Sequence, residues 1–144
     1  SSDLTTMESI QQKKPRRIYG GIIRHFDSNL GQYVYAVVWE RHADAWSFPK
    51  GTWKASEDAR QCADRKIEQE TSIKGLPLHA HRIHVGWTHL YLFTVPEKYE
   101  LRSKDKTVSE ARWMTVEDLE KQKPFINLGI QEFLQRMRKG TIPF

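Results

Sequence analysis

The chain has 144 residues, enough for one core but not comfortably for two. Its 38% hydrophobic and 11% aromatic content suits a small, ring-rich core, and no run reaches the roughly 18 apolar residues of a membrane span. A net charge of +5 favours polyanionic partners, while the single cysteine, Cys62, excludes an internal disulfide framework and suits an intracellular compartment, whether cytoplasm, nucleus or mitochondrion.

Residues 1 to 15 are polar and aperiodic, and are expected to form a flexible arm or a cloning remnant; residues 16 to 144 are expected to form the domain. Ile18 to His25 is partly apolar on both alternating sets, which predicts a strand covered on both faces. Asp27-Ser28-Asn29-Leu30-Gly31 is turn chemistry, and Tyr33 to Trp39 is a β-branched and aromatic run, so the two strands are expected to pair as a hairpin. A tight turn at Phe48-Pro49-Lys50-Gly51 leads to a helix expected to start near Ser56, with Ser56 as its N-cap. Leu78 to Val85 and His89 to Val95 read as strands around Gly86-Trp87-Thr88, and Pro96 to Lys106 as a charged loop. Val108 to Met114 reads as a further strand, Thr115 to Asp118 as a capping-box start to a short helix, and Pro124 as the opening of the last helix. Ile126, Ile130, Phe133, Leu134 and Met137 form that helix's apolar stripe. Intermixed strands and helices predict an α/β sandwich, and the hairpins require a mixed sheet.

One histidine cluster and the single cysteine raise metal or thiol chemistry. His79, His81, His84 and His89 lack paired cysteines and are expected to be ordinary strand histidines. Cys62 lies on a small-residue helix face and is expected to be a core thiol. Among the tryptophans, Trp53 is the one expected to stand half-exposed beside a ligand, with packing under the loop as the alternative.

The most informative stretch is Trp46 to Ile73. Gly51, Glu57, Arg65 and Glu70, following Trp46-Ser47-Phe48-Pro49-Lys50-Gly51, stand at the spacings of the Nudix box, and the chain resembles the Nudix family. The turn sequence looks most like the messenger-RNA-decapping and dinucleoside-polyphosphate branches. That resemblance implies a Nudix-like α/β/α sandwich, a nucleotide or RNA 5′-phosphate ligand, and a magnesium or manganese site. It further implies catalytic roles for Glu70, Glu57, Glu110 and Arg65, with Glu70 as metal ligand, Arg65 orienting the helix acids and Glu110 as a later base.

Lys66 and Gln69 stand where the family usually has carboxylates, and Ser72 where it usually has glycine. Glu68 lies about 200° round the helix from Glu70, and Asp64 is offset by about 120°, so neither replaces them. Any metal should therefore bind weakly. Lys66, one turn before Glu70, either pairs with that carboxylate or reaches a ligand phosphate, with extension to solvent as the alternative. Lys50, Gly51, Trp53, Lys66 and Arg24 complete the expected ligand-binding set. The leading expectation is a Nudix-fold domain that binds a phosphorylated ligand with weak or absent metal-dependent hydrolysis. The alternatives are an active, atypical pyrophosphohydrolase of nucleotides or RNA 5′ ends, and an interaction subunit of a ribonucleoprotein assembly with protein partners.

Overall fold

A computed structural model describes residues 17–144, so the expected arm lies outside the described residues. Strand β1 (Ile18–Asp27) turns at Asp27, whose Oδ1 accepts from the backbone N–H groups of Asn29 (2.9 Å) and Leu30 (3.2 Å), and returns as β2 (Gln32–Glu40). This is the expected hairpin, with Arg24 opposite Tyr35. Short strands β3 (Ala45–Ser47) and β4 (Lys50–Thr52) follow, pairing with β2 and β1 respectively.

Strands β5 (Arg82–Val85) and β6 (Thr88–Thr94) form a second hairpin, closed by Gly86 at φ 58°, a left-handed conformation that favours glycine. The Leu78 to Val85 strand begins only at Arg82; Leu78, His79 and His81 are solvent-exposed, although His81 O still accepts from Leu92 N at 2.9 Å. Strand β6 runs parallel to β1, whereas β7 (Val108–Met114) pairs antiparallel with β2 alone, making the sheet mixed.

Each sheet face is covered, as the double-sided apolar pattern of β1 requires. On one face, helix α1 (Ala59–Thr71) packs Ile67 with Ile23, Ala36, Phe93 and Val95. Its approach is close because Gly21 lies beneath it: a Cβ there would stand 2.7 Å from Ile67 Cδ1. On the other face, α2 (Val116–Lys121) and α3 (Leu128–Lys139) bring Leu119, Ile130, Phe133 and Leu134 against Ile22, Tyr35, Val37, Leu90 and Met114. The result is an α/β/α sandwich.

Two helix starts differ from their sequence positions. Helix α1 is capped by Asp58, whose side chain accepts from Gln61 N while Gln61 Oε1 accepts from Asp58 N, both at 2.8 Å. Ser56 offers the same cap chemistry, but its reciprocating position is Ala59, which has no acceptor. Asn127 caps α3 by accepting from Ile130 N at 2.9 Å, so Pro124 does not open the helix. The intervening residues are held by β3: Trp46 N donates to Phe125 O (2.8 Å) and Asn127 N to Trp46 O (3.0 Å). The Thr115–Asp118 capping box forms as expected.

Candidate functional site

Shifting the cap of α1 to Asp58 leaves Glu57 outside the helix, where its carboxylate turns toward Arg65. Arg65 donates to both oxygens, Nε to Oε2 at 3.0 Å and Nη2 to Oε1 at 2.7 Å, and also to Thr52 O at 3.0 Å. A two-pronged guanidinium–carboxylate pair of this kind fixes both partners geometrically. Arg65 therefore ties the loop after β4 to α1. Its guanidinium holds the Glu57 carboxyl at about 2, and a smaller desolvation opposes it. Glu57 and Arg65 are consequently held together at the mouth of the box, with Lys54 N also donating to Glu57 Oε1 at 3.0 Å.

Glu70 sits on the buried side of α1, 3% exposed, and its Oε1 has no hydrogen-bond partner. Among the described residues it is the one buried side-chain oxygen or nitrogen left unpaired. Burial raises its carboxyl to about 7; Lys66 opposes the rise and Asp105 adds to it. Lys66 lies one turn earlier, with Nζ 3.5 Å from Glu70 Oε2, 3.1 Å from Gln69 Oε1 and 2.7 Å from Asp105 Oδ2. Its stem crosses Gly51 so closely that a Cβ there would be 2.3 Å from Lys66 Cε. Gly51 thus shapes the site by leaving room for a lysine.

Asp105 is the functional candidate that sequence reading missed. It belongs to the charged loop after β6, some forty residues from Lys66 in the chain. That loop is strapped to the end of α1 by Arg102 N to Thr71 O (3.0 Å), Lys104 N to Gln69 O (2.7 Å) and Ser72 Oγ to Arg102 O (2.7 Å). Asp105 Oδ1 accepts from Thr107 N (2.9 Å) and Thr107 Oγ1 (2.6 Å), which fixes the side chain. Burial alone would raise its pKa, but hydrogen bonds from Lys66 and Thr107 outweigh it and hold the carboxyl at about 2. The Asp-x-Thr spacing signals this local turn; nothing in the sequence signals where the turn docks.

Other expected residues lie elsewhere. Glu110 is opposite Trp39 in the β2–β7 ladder, so it shares the face of Trp39, which packs with the α3 cluster rather than beneath α1. Arg112 Nε occupies its carboxylate at 2.6 Å. Arg24 stands near the hairpin end of β1, its guanidinium over Tyr33 (4.0 Å) and Phe144 (4.1 Å). That aromatic clamp keeps Arg24 away from Glu70. Trp53 is half-buried, donating to Glu57 O beneath Arg17, whose guanidinium lies 4.9 Å above the ring.

Lys50 connects the box to a second feature. Its ammonium pairs with Glu40 at 3.0 Å, and its side chain lines a cleft of about 700 Å³ on the α3 side of the sheet. Phe48, Leu90, Trp87, Asn127 and Gln131 also line this cleft. Trp87, on the β5–β6 turn, is 59% exposed and presents a large ring at its rim. An apolar concavity with a few amides, one cation and one carboxylate, Glu132, has the size and lining of a small-molecule site.

Cys62 is fully buried, its Sγ 3.5 Å from Gly51 O, and burial raises the thiol, as expected of a core cysteine. His84 and His89 stack face to face at 4.2 Å, and among the described residues no three His, Cys, Asp or Glu side chains converge as a metal-binding group. Among those residues no helix is long and apolar enough to cross a membrane.

Comparison with known proteins bears on the fold and the family. The curated RNA pyrophosphohydrolase of Teredinibacter turnerae is 28% identical over 87 residues, 58% of this chain and 49% of that protein. The chain therefore spans about half the length of the curated relative it matches. Among solved structures, the Nudix hydrolase RenU of M. smegmatis superposes with a TM-score of 0.70 at 16% identity, covering 90% of this chain and 89% of that one. The Ap4A hydrolase of C. elegans in a binary complex gives 0.66 at 17% identity, covering 88% and 95%. The NUDIX domain of Shewanella oneidensis NrtR complexed with ADP ribose gives 0.65 at 14%, covering 87% of each. At these identities the superpositions speak for the fold. Residues 16–137 match the NUDIX domain as a family, and the chain belongs to it.

Proposed function

We propose that this chain is a pyrophosphohydrolase of nucleotides or RNA 5′ ends. The observation that carries the reading is the unpaired, buried Glu70 Oε1 beside the Lys66 ammonium, under the Gly51 loop. The likeness to an RNA pyrophosphohydrolase and to an Ap4A hydrolase supports a diphosphate linkage as the bond acted upon.

Hydrolysis adds water across a P–O–P bridge: the water oxygen bonds to one phosphorus, and the bridging oxygen leaves with the other. Glu70 Oε1 is the acceptor for the water proton, and a carboxyl near pH 7 is suitably matched to that task. The ammonium groups of Lys50 and Lys66 supply charge that offsets the phosphate oxygens. The 700 Å³ cleft beyond Lys50 takes the nucleoside, with Trp87 as stacking surface.

The family's divalent cation, which would supply Lewis-acid charge and an activated water, does not fit the donor set as it stands. Lys66 Nζ fills the space between Glu70 and Asp105, and Glu57 is already claimed by Arg65. That observation favours a second reading, in which the pocket binds phosphorylated ligand with weak or absent hydrolysis.

Turnover assays on 5′-triphosphorylated RNA, diadenosine tetraphosphate and ADP-ribose, with and without added magnesium or manganese, separate the two. The first reading expects phosphorylated products from at least one substrate. Binding without products supports the second, and absence of binding at physiological salt leaves an interaction subunit. For whichever ligand binds, Trp87→Ala is expected to weaken affinity about tenfold through lost stacking, measurable by calorimetry.

A further inference from the structure

We infer that Lys66 is the resident cation of this site, holding by its own ammonium the place of a protein-bound divalent ion and meeting ligand phosphate directly. The inference rests on the phosphate-ligand reading above. An ammonium has three N–H donors, and three oxygens stand around this one: Asp105 Oδ2 at 2.7 Å, Gln69 Oε1 at 3.1 Å and Glu70 Oε2 at 3.5 Å. They come from α1 and from the loop strapped across its end, so the cation is bound by two separate elements.

The enclosure is tight. The side chains of Lys66, Asp105 and Glu70 are only 14%, 13% and 5% exposed. The lysine stem lies over Gly51, in space that any Cβ would occupy. A lysine extending to solvent would need none of this. The position rules out extension to solvent and places the ammonium beside Glu70, the carboxylate one turn on.

Charge points the same way. The carboxylate of Asp105 balances a single positive charge, and Gln69 contributes an acceptor without adding another anion. A divalent ion entering between Glu70 and Asp105 would have to expel the ammonium or sit beside it, and like charges at a few ångströms in a partly buried site repel strongly. A ligand phosphate attracts the ammonium instead, but it must displace the Asp105 carboxylate from the ammonium's shell, taking over the positive charge that Asp105 balances. Metal at this position and Lys66 are mutually exclusive; phosphate and Lys66 are complementary.

Two measurements on the unmodified chain test this. Electron paramagnetic resonance of manganese without ligand is expected to show no protein-bound ion at millimolar metal. Calorimetric binding of ADP is expected to be unchanged, within about twofold, by excess EDTA. Tight manganese binding by the unmodified chain, or loss of ADP binding on chelation, would overturn the inference. ADP that fails to bind under either condition sinks the phosphate-ligand reading and the direct phosphate contact with it, while the manganese signal still reports whether Lys66 excludes metal. Lys66→Met keeps the stem over Gly51 and is expected to weaken ADP binding by about tenfold or more; unchanged affinity in a folded variant counts against the phosphate contact. Lys66→Glu combined with Gln69→Glu is expected to gain manganese binding, and its failure to do so while folded counts against the exclusion.

Discussion

Glu70→Gln is expected to lower turnover by about 10²- to 10⁴-fold, the range associated with removing a positioned general base. The same substitution has a second effect, on stability, with a defined pH dependence. Burial pushes the Glu70 carboxyl from an ordinary 4.5 up to about 7. Between those values the folded chain holds a proton that the unfolded chain has released. The protonated carboxyl's contribution is therefore fully present below about pH 4.5 and lost as pH rises through about 7. At roughly 1.4 kcal/mol per pH unit, the loss amounts to about 3 kcal/mol.

Glutamine cannot ionise and so escapes that loss. Relative to the unmodified chain, the variant should gain about 3 kcal/mol between pH 4.5 and pH 8, read from urea unfolding. Asp105 and Glu57, both held at about 2, contribute stability that is lost progressively as pH falls from their ordinary values of 3.8 and 4.5 toward about 2, below this window. His89, lowered first by burial and then by His84, works against the Glu70 trend as pH falls through 6.5. Because His89 is present in both proteins, the difference between them isolates Glu70. A difference independent of pH would refute the buried-carboxyl account.

Gly20→Ala is expected to destabilise the chain by about 3 kcal/mol, at the upper end of overpacking costs. A Cβ at Gly20 would stand 2.0 Å from Pro49 O and 2.6 Å from Lys50 Cβ. These atoms belong to the turn and to β4, which cannot swing aside as a long side chain can. Strand β4 would have to leave β1, losing the 3.1 Å hydrogen bond from Gly21 N to Pro49 O and displacing Lys50 from the cleft. Thermal unfolding should therefore fall by about 10 °C, with a parallel loss of ligand affinity. Gly51→Ala is the informative contrast. The three atoms nearest its Cβ all belong to the flexible stem of Lys66, so the melting temperature should fall less, while ligand affinity still drops as the ammonium is pushed out of its seat. Equal losses of stability in the two variants would contradict this picture.

The box illustrates how far a linear pattern carries. Gly51, Glu57, Arg65 and Glu70 could be recognised together because helix periodicity and a short loop fix their spacing locally. The two-sided apolar pattern of β1 likewise foretold a strand covered on both faces, and the hairpin turn at Asp27 foretold a mixed sheet. Local chemistry was ambiguous where two residues offered the same cap: Ser56 and Asp58 compete, and a reciprocating glutamine decided between them. The last helix began later than its proline because Trp46, from β3, engages the preceding backbone.

What sequence determined, then, was everything governed by short-range periodicity: the strand order of the first hairpin, the α1 box, the buried stripe of α3 and the absence of the usual carboxylates at Lys66 and Gln69. What only the tertiary structure decided was how distant segments share charge. Asp105 reaches Lys66 because a loop is hydrogen-bonded across the end of α1. Glu110, placed on the opposite face by strand register, is bound to Arg112. Trp87 and Lys50 line one cleft because β6 runs beside β1 while β4 pairs with it. Such encounters depend on long-range packing, whose geometry has no period along the chain.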